Sequence, residues 1–347
     1  MQTGANNRAV FFRIAAFLLA VLTTGVLLMG VGASPADTVL SLYQGSLDSL
    51  KDFAYVLRSW VPLMLVTAGL LITFSAGLWN IGVEGQIIIG AVCATWALRG
   101  LQDGSWPSWL VLCSASLAGV AGGMGWAWLV GLLKIRGGVN EIFGGLGLNF
   151  VANGLTMWLI FGPWKREGIG SMSGTEPFPE QFWLREWGTL HVSPAALVLA
   201  VAISLLVLVL MGRSRFGLKL RAAGLNARAA FRLGVPTTRI ILLAFLLCGA
   251  LSGLAGALQV TGVYHRLIPS ISSGYGYLGL LVALVAGRRI LWAAPVALFF
   301  AIVNVGAIEL PITLQMDSSL SGVLLALIVL FVLLFNGVRQ RMAGGWK

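Results

Sequence analysis

The chain has 347 residues, of which 58% are hydrophobic and only 10% are charged, and its formal net charge at pH 7 is +11. A soluble globular domain carries roughly 25% charged residues, so this composition excludes a soluble enzyme and indicates an all-α polytopic membrane protein. The basic residues are spread over the short segments between apolar runs rather than gathered into a patch with interleaved aromatic residues, so we expect no nucleic-acid partner.

Apolar runs of membrane-spanning length follow one another along the chain. A spanning helix needs about 20 mainly apolar residues, and the first run is longer than the roughly 7 to 15 residues of a signal-peptide core, so a retained helix is favoured over a cleaved signal. The eighth run is too short to cross upright and predicts a broken or re-entrant helix. The ten predicted helices lie near 11–32, 59–79, 84–99, 108–133, 139–162, 193–212, 240–263, 275–287, 290–309 and 319–336.

The distribution of charge predicts one orientation for this single transmembrane domain, residues 1–347. With the N-terminus inside, sixteen of the 23 Lys and Arg residues fall on the cytosolic side, and ten of the twelve acids fall on the other. Both termini are therefore expected in the cytosol. Two outer segments, 33–58 and 163–191, are long enough for structure of their own.

These two outer segments carry different patterns. Residues 37–58 predict one amphipathic helix lying at the lipid interface. The second segment mixes charges with aromatic residues, which indicate an aromatic belt or a rim for an outer partner. Its aromatic residues are Trp164, Phe178, Phe182, Trp183 and Trp187.

The stretch Leu78–Gln86, LWNIGVEGQ, places Asn80, Glu84 and Gln86 between two apolar runs. A charge near the bilayer centre costs about 2.5–3.5 kcal/mol, so Glu84 is expected at a helix end, paired, or facing water. The stretch is either a broken helix that lines a pathway or a cytosolic turn with a capping acid.

The stretch Gly137–Asn149 opens the fifth run with Asn140 and Glu141. An acid in the first turn complements the helix dipole, which is a sufficient structural reason for Glu141. Asn149 lies two turns further, and a buried amide must find a partner on another helix or on a bound substrate. Asn304 in the ninth run is a weaker candidate of the same kind.

Glycines mark two further features. Gly274, Gly276 and Gly279 in SSGYGYLGLLVALVAG suit close backbone packing or the opening turn of a discontinuous helix. The pairs Gly119-xxx-Gly123 and Gly249-xxx-Gly253 predict helix-packing faces.

Residues 213–239, which we name the coupling segment, carry seven basic residues and no acid. Asn226 stands where an N-cap would, residues 227–233 have the length of two turns, and Gly234 with Pro236 supplies a stop. A helix this short is unstable alone in water. Either a cytosolic partner holds it or it rests against anionic lipid.

This segment resembles the cytoplasmic coupling loop of ABC-importer permeases of the branched-chain amino acid, simple-sugar and nucleoside group. That pattern is roughly F-G-x-x-x-R-A-x-G-x-N-x-x-A-A-x-x-x-G-[IV]. The matching positions are Phe216, Gly217, Arg221, Ala222, Gly224, Asn226, Ala229, Ala230, Gly234 and Val235.

Three other stretches are similar to the same family. The form N-I-G-x-E-G-Q resembles its nucleoside and simple-sugar branch, the N-E pair with the later Asn149 resembles its fifth helix, and residues 272–287 resemble its S-x-G-x-G-[FY] segment. The chain departs just afterwards, where Arg288-Arg289-Ile290-Leu291 replaces an expected polar run with proline.

The resemblance implies a permease subunit of an ABC importer in the bacterial inner (plasma) membrane. It would move a small neutral solute, a nucleoside or simple sugar, with a branched-chain amino acid as the alternative. The implied partners are an ABC ATPase that binds ATP and Mg, a second permease subunit, an outer substrate-binding protein and membrane lipid. The implied substrate pathway comprises Asn80, Glu84, Gln86, Asn140, Glu141, Asn149, Gly274, Gly276 and Asn304.

The residues themselves predict no catalytic site, metal or cofactor in this chain. The nearest approach to a phosphate loop, Gly212–Gly217, has Leu218 where Lys is required. His191 and His265 stand at predicted outer helix ends and are interpreted as interface residues. An ion-coupled transporter would need buried ionisable residues near the midplane, and only Glu84 and Glu141 qualify even loosely.

Overall fold

The computed structural model describes residues 18–19, 21–26, 28–30, 32, 34–166, 168, 174–287, 290–313, 322–323, 325–327, 329–331 and 333–334. Throughout this described part the regular structure is helical, as the composition predicts. The chain packs as two compact units, Leu57–Ala297 and Met1–Val56 with Leu298–Lys347. The boundaries between these units fall within two long helices.

The helices follow the apolar runs closely from the second run to the ninth. The first and last predicted helices and Arg288-Arg289 lie wholly or partly outside the described residues. The bounds are α1 Pro35–Leu47, α2 Leu50–Ser75, α3 Val83–Leu101, α4 Ser108–Ile135, α5 Glu141–Phe161, α6 Pro194–Arg213, α7 Arg215–Leu225, α8 Ala227–Arg232, α9 Thr237–Gln259, α10 Tyr275–Ala286, α11 Ile290–Gly306 and α12 Leu310–Thr313.

Six described helices are long and apolar enough to cross a membrane, by length and composition. They are Leu50–Ser75, Ser108–Ile135, Glu141–Phe161, Pro194–Arg213, Thr237–Tyr264 and Leu291–Thr313. The last of these runs through α11 to the end of α12, and Thr237–Tyr264 continues α9 through a π-helical turn. The helix α10 has only twelve residues, as expected for the eighth run.

The prediction of one amphipathic helix over residues 37–58 is wrong. The segment breaks after α1, and α2 begins at Leu50, nine residues before the predicted start of its apolar run. Ser49 and Asp52 form a reciprocal cap, in which Asp52 Oδ2 accepts from Ser49 N and Ser49 Oγ accepts from Asp52 N, both at 3.1 Å. This capping box starts a new helix inside a segment whose hydrophobic pattern reads as continuous.

The core of the Leu57–Ala297 unit is a backbone-to-backbone crossing of α3, α4 and α9. A Cβ built on Gly123 would lie 2.7 Å from the Cα of Gly253, and one on Gly249 would collide with the carbonyl of Gly123. Gly90 of α3 meets Gly253 in the same way. The predicted packing faces are therefore confirmed, and they bury α3 although it begins with polar residues.

The described residues of the segment after α5 pack against the rest of the protein. Thr175 N and Phe178 N donate to the carbonyls of Leu267 and His265, each at 2.9 Å. Phe178 and Phe182 are buried in the hydrophobic core, so these two do not face lipid as a belt would require. Trp187 is exposed, so for this residue both predictions stand, a place in an aromatic belt and a place in a rim for an outer partner.

The second unit brings α1 against the chain after α11. A Cβ on Gly45 would lie 3.2 Å from the Cα of Gly306. Thr313 Oγ1 donates to Ser41 Oγ at 3.0 Å. Asn304 lies in this unit and is half-buried.

Candidate functional site

The coupling segment folds as two consecutive short helices. Ser214 Oγ accepts from Gly217 N at 3.1 Å and caps α7, while Asn226 Oδ1 accepts from Ala229 N at 3.0 Å and caps α8. Gly234 follows α8 with φ of +82°, the left-handed conformation that favours glycine and ends the helix. The predicted short helix and its cap are confirmed, but residues 215–225 are the helix α7 rather than a loop.

The matched residues of α7 hold this segment to the membrane helices. A Cβ on Gly224 would lie 2.9 Å from the carbonyl carbon of Ala76, just after α2. Arg221 Nη2 donates to the Met211 carbonyl at 3.0 Å, and Gly217 packs on the same carbonyl. Gly217, Arg221 and Gly224 therefore fix α7 against the end of α6 and the end of α2.

The face of α8 that points away from the bundle combines apolar and basic side chains. Phe231 is 67% exposed and Leu233 is 84% exposed, and Arg228 and Arg232 are exposed beside them. Ala230 is buried and packs α8 against the protein, whereas Ala229 is exposed. Large apolar side chains grouped on an exposed basic surface mark a place where another molecule binds.

A second cluster of predicted residues lies where α3 begins. Asn80 Nδ2 donates to Gln86 Oε1 at 3.2 Å, and Gln86 Nε2 donates back to Asn80 Oδ1 at 3.1 Å. Both amides are fully buried, and Asn80 Nδ2 also approaches Cys248 Sγ of α9 at 3.2 Å. Mutual satisfaction of the two amides permits burial of this polar turn.

Asn149 ties α5 to the same turn. Its Oδ1 accepts from Gly85 N at 2.8 Å, and its Nδ2 donates to the Ile81 carbonyl at 3.0 Å. The sequence predicts that this amide has a partner on another helix or on a bound substrate, and the structure shows a partner on another helix. The close approach of Gly145 to Gly82 leaves no room for a side chain between α5 and the start of α3.

Glu84 joins α3 to the start of α10. Ser272 Oγ donates to Glu84 Oε1 at 2.5 Å, and Gly276 N donates to Glu84 Oε2 at 2.8 Å. Gly274 caps α10 with φ of +72°, a conformation that other residues rarely adopt, which is why glycine opens this helix. We name Asn80, Glu84, Gln86 and Asn149 the polar seam, because together they fasten α3 to its neighbours.

Glu141 lies outside the seam and has its own partners. Lys134 Nζ donates to Glu141 Oε2 at 2.5 Å, and Trp79 N donates to Oε1 at 3.5 Å. Asn140 caps α5 by accepting from Ile142 N at 2.9 Å. The structure thus gives Glu141 a lysine as well as the helix dipole predicted from its position.

Asn304 belongs to the unit Met1–Val56 with Leu298–Lys347 and stays a predicted pathway residue. Sequence reasoning missed Ser272 and Cys248 as seam partners, although Ser272 stands in the glycine-rich stretch already singled out. Within the described residues, His, Cys, Asp and Glu side chains form no group of three that could hold a metal.

The bundle of buried, glycine-packed apolar helices defines a multi-pass membrane protein. Residues 53–333 match the family described as branched-chain amino acid transport system / permease component, and the chain belongs to that family. The family comprises transport components rather than enzymes.

Three relatives align along most of the chain. The glucose ABC transporter permease protein TsgB13 of Haloferax volcanii is 29% identical over 91% of this chain and 85% of its own length. The guanosine ABC transporter permease protein NupP of Bacillus subtilis is 28% identical over 90% and 89%. The nucleoside ABC transporter permease protein NupB of Lactococcus lactis is 23% identical over 87% and 85%.

Proposed function

We propose that this chain is the permease subunit of an ABC importer and that α8 is the element through which a separate ATPase moves the membrane helices. The observation that carries the proposal is the exposed apolar and basic face of α8, fixed to the end of α2 through Gly224. A rigid connection of this kind transmits displacement of α8 to a spanning helix. ATP and Mg are bound by the partner.

The substrate we propose is a nucleoside or simple sugar. Relatives named for glucose, guanosine and nucleosides support this class. The charges also argue against an amino acid, since Glu84 is occupied by Ser272 and Gly276 and Glu141 by Lys134. A zwitterion would need free groups for both its ammonium and its carboxylate.

We propose that the polar seam holds the helices of the pathway wall in position. Not every polar group of the seam is proposed to bind the solute. Each seam side chain has a partner inside the protein, so a solute would compete with existing hydrogen bonds. The short helix α10 is part of this wall and is held to α3 by the hydrogen bonds of Glu84. A solute that competed for those hydrogen bonds would detach α10 from α3. Asn140, Glu141, Gly274, Gly276 and Asn304 remain proposed pathway residues alongside the seam.

The proposed setting is the inner membrane of a bacterial cell, with ten spanning helices and both termini in the cytosol. The count of Lys and Arg residues supports the orientation, because it places the coupling segment with the basic majority. A second permease subunit would complete the pathway. A substrate-binding protein would deliver solute at the side that carries residues 163–191.

Co-purification with the cognate ATPase tests this proposal. Phe231→Glu places an acid on the exposed face of α8 and is expected to abolish co-purification and ATP-dependent nucleoside uptake in proteoliposomes. The permease itself should keep its melting temperature, because Phe231 is largely solvent-exposed. Val139→Glu makes the same apolar-to-acid change at an exposed site at the predicted cytosolic start of the fifth helix and should retain both activities.

Two results would contradict the proposal. Full ATPase binding by Phe231→Glu would show that α8 is not the docking element. Solute uptake by the purified permease without ATPase, driven by a proton or sodium gradient, would assign the chain to the ion-coupled class instead.

A further inference from the structure

A cleft lies at one end of the Leu57–Ala297 unit, away from the coupling segment and built from none of the proposed pathway residues. It is partly open to solvent, has a cavity volume of about 20 Å³, and lies between the first half of α2, residues 184–193, the start of α6 and the end of α9. Apolar walls come from Val61, Pro62 and Leu184. The opposite wall is the π-helical turn Val260–Tyr264, which contributes Gly262 and Val263.

Three of the polar residues that line this cleft each have a buried side-chain atom without a hydrogen-bond partner among the described residues. Gln259 is 1% exposed and its Nε2 is unpaired, and Ser193 is 7% exposed and its Oγ is unpaired. Arg58 donates from Nη2 to the Val263 carbonyl at 2.5 Å, yet its Nε is buried and unpaired. Arg58 Nε and Gln259 Nε2 can only donate, and Ser193 Oγ can donate or accept, so a single acceptor could satisfy all three.

Ser193 shows that this arrangement is not an ordinary helix cap. It is the N-cap residue of the twenty-residue helix α6, followed by Pro194, but its side chain makes no capping hydrogen bond. The hydroxyl is thereby free for the cleft, and the positive end of the α6 dipole lies beside it.

Arg58 also has no carboxylate at ion-pair distance in the described part of the chain. Within the described residues, ion pairs within 4.0 Å join Lys134 to Glu141 and His191 to Glu186, and Arg58 is in neither. Burial first and the Arg58 charge second lower the pKa of neighbouring His265, while Glu186 opposes this effect. A counter-ion stabilises a half-buried guanidinium that lies against apolar walls.

We propose that this cleft binds one small monovalent anion, such as chloride, through Arg58 Nε, Ser193 Oγ and Gln259 Nε2. The donors supply the hydrogen bonds, Arg58 and the start of α6 supply the positive field, and the apolar walls limit the size of the occupant. The bound anion joins α2, α6 and α9 at the end of the bundle opposite to α8, where α9 ends in the π-helical turn. Such turns are common at functional sites.

The test is thermal unfolding of the purified full-length permease in sodium chloride against sodium gluconate at one ionic strength. Chloride is expected to raise the melting temperature in a saturable way, because a ligand that binds only the folded state stabilises it by mass action. Gln259→Leu removes one donor to a charged ligand and should weaken the apparent chloride affinity about tenfold or more. Gln259→Glu supplies its own carboxylate to Arg58 and should abolish the response to chloride.

Lys51→Gln removes an exposed positive charge outside the cleft and should leave the chloride response unchanged. Equal melting curves in the two salts, or an unchanged response in both Gln259 variants, would overturn the proposal. So would stabilisation by phosphatidylglycerol with no response to chloride, which would identify a lipid headgroup as the occupant.

If a Gln259 variant does not fold, bromide soaked into crystals of the wild-type permease decides the matter. An anomalous peak within hydrogen-bond distance of all three donors supports the site. A cleft that shows only water refutes it.

Discussion

Replacement of Gly123 by alanine tests the central feature of this fold, the direct contact between the backbones of α4 and α9. The added Cβ would lie 2.7 Å from the Cα of Gly253 and 2.8 Å from its nitrogen, and it would also collide with the carbonyl of Gly249. Ordinary contact begins at about 3.4 Å, so the Gly253 contact alone requires a separation of roughly 0.7 Å, and the shorter contact with the Gly249 carbonyl oxygen requires more. No flexible side chain is available to move instead.

Gly125 provides a matched control, since it lies on the same helix two residues later and a Cβ there meets nothing within 4 Å. Alanine raises helix propensity by about 1 kcal/mol over glycine at both positions, so that gain cancels when the two variants are compared. The difference in their free energies of unfolding then isolates the collision. Overpacking of a close-packed core costs about 1–3 kcal/mol, and we expect the upper part of that range because backbone atoms collide.

The measurement is the unfolding of purified wild type, Gly123→Ala and Gly125→Ala, followed by tryptophan fluorescence in one detergent. Gly125→Ala should match or exceed the wild type, and Gly123→Ala should unfold first. Equal stability of the two variants would show that α4 and α9 are not in backbone contact, and the placement of α3 beside them would fall with that result.

Three further predictions concern the site and its surroundings. Asn226→Ala removes the cap of α8, costs that helix about 1 kcal/mol, and should weaken ATPase co-purification with little change in melting temperature, whereas Asn226→Asp keeps the cap and the binding. Glu84→Leu removes both acceptors, leaves Ser272 Oγ and Gly276 N without their partner, and should lower stability by about 1–3 kcal/mol and slow transport, and unchanged uptake would remove Glu84 from the pathway wall. The lowered pKa of His265 means that the unfolded chain binds a proton more readily, so wild-type stability should be full above the ordinary histidine pKa of about 6.5 and fall as pH drops below it. His265→Asn, which tolerates the left-handed φ of 55°, should show a smaller fall in melting temperature over that range.

The sequence by itself determined the class of protein, the approximate position of the helices from the second run to the ninth, and the short helix α8 with its cap. Each of these depends on neighbours along the chain: hydropathy within about 20 residues, an amide three residues from the nitrogen it caps, a glycine after the last turn. Local sequence patterns did not predict the boundary between α1 and α2. Nothing in the hydrophobic pattern separated α1 from α2, since the division is made by the reciprocal cap of Ser49 and Asp52.

The tertiary structure alone decided what the polar residues contact. Glu84 was expected to be paired or at a helix end, but its partner Ser272 lies 188 residues away, and Cys248 lies 168 residues from Asn80. The three donors of the cleft are likewise brought together from the first half of α2, the N-cap of α6 and the last residue of α9. A buried polar group must be satisfied by whichever group packing brings near it, and that pairing is a property of how the helices cross, which no local pattern in the chain encodes.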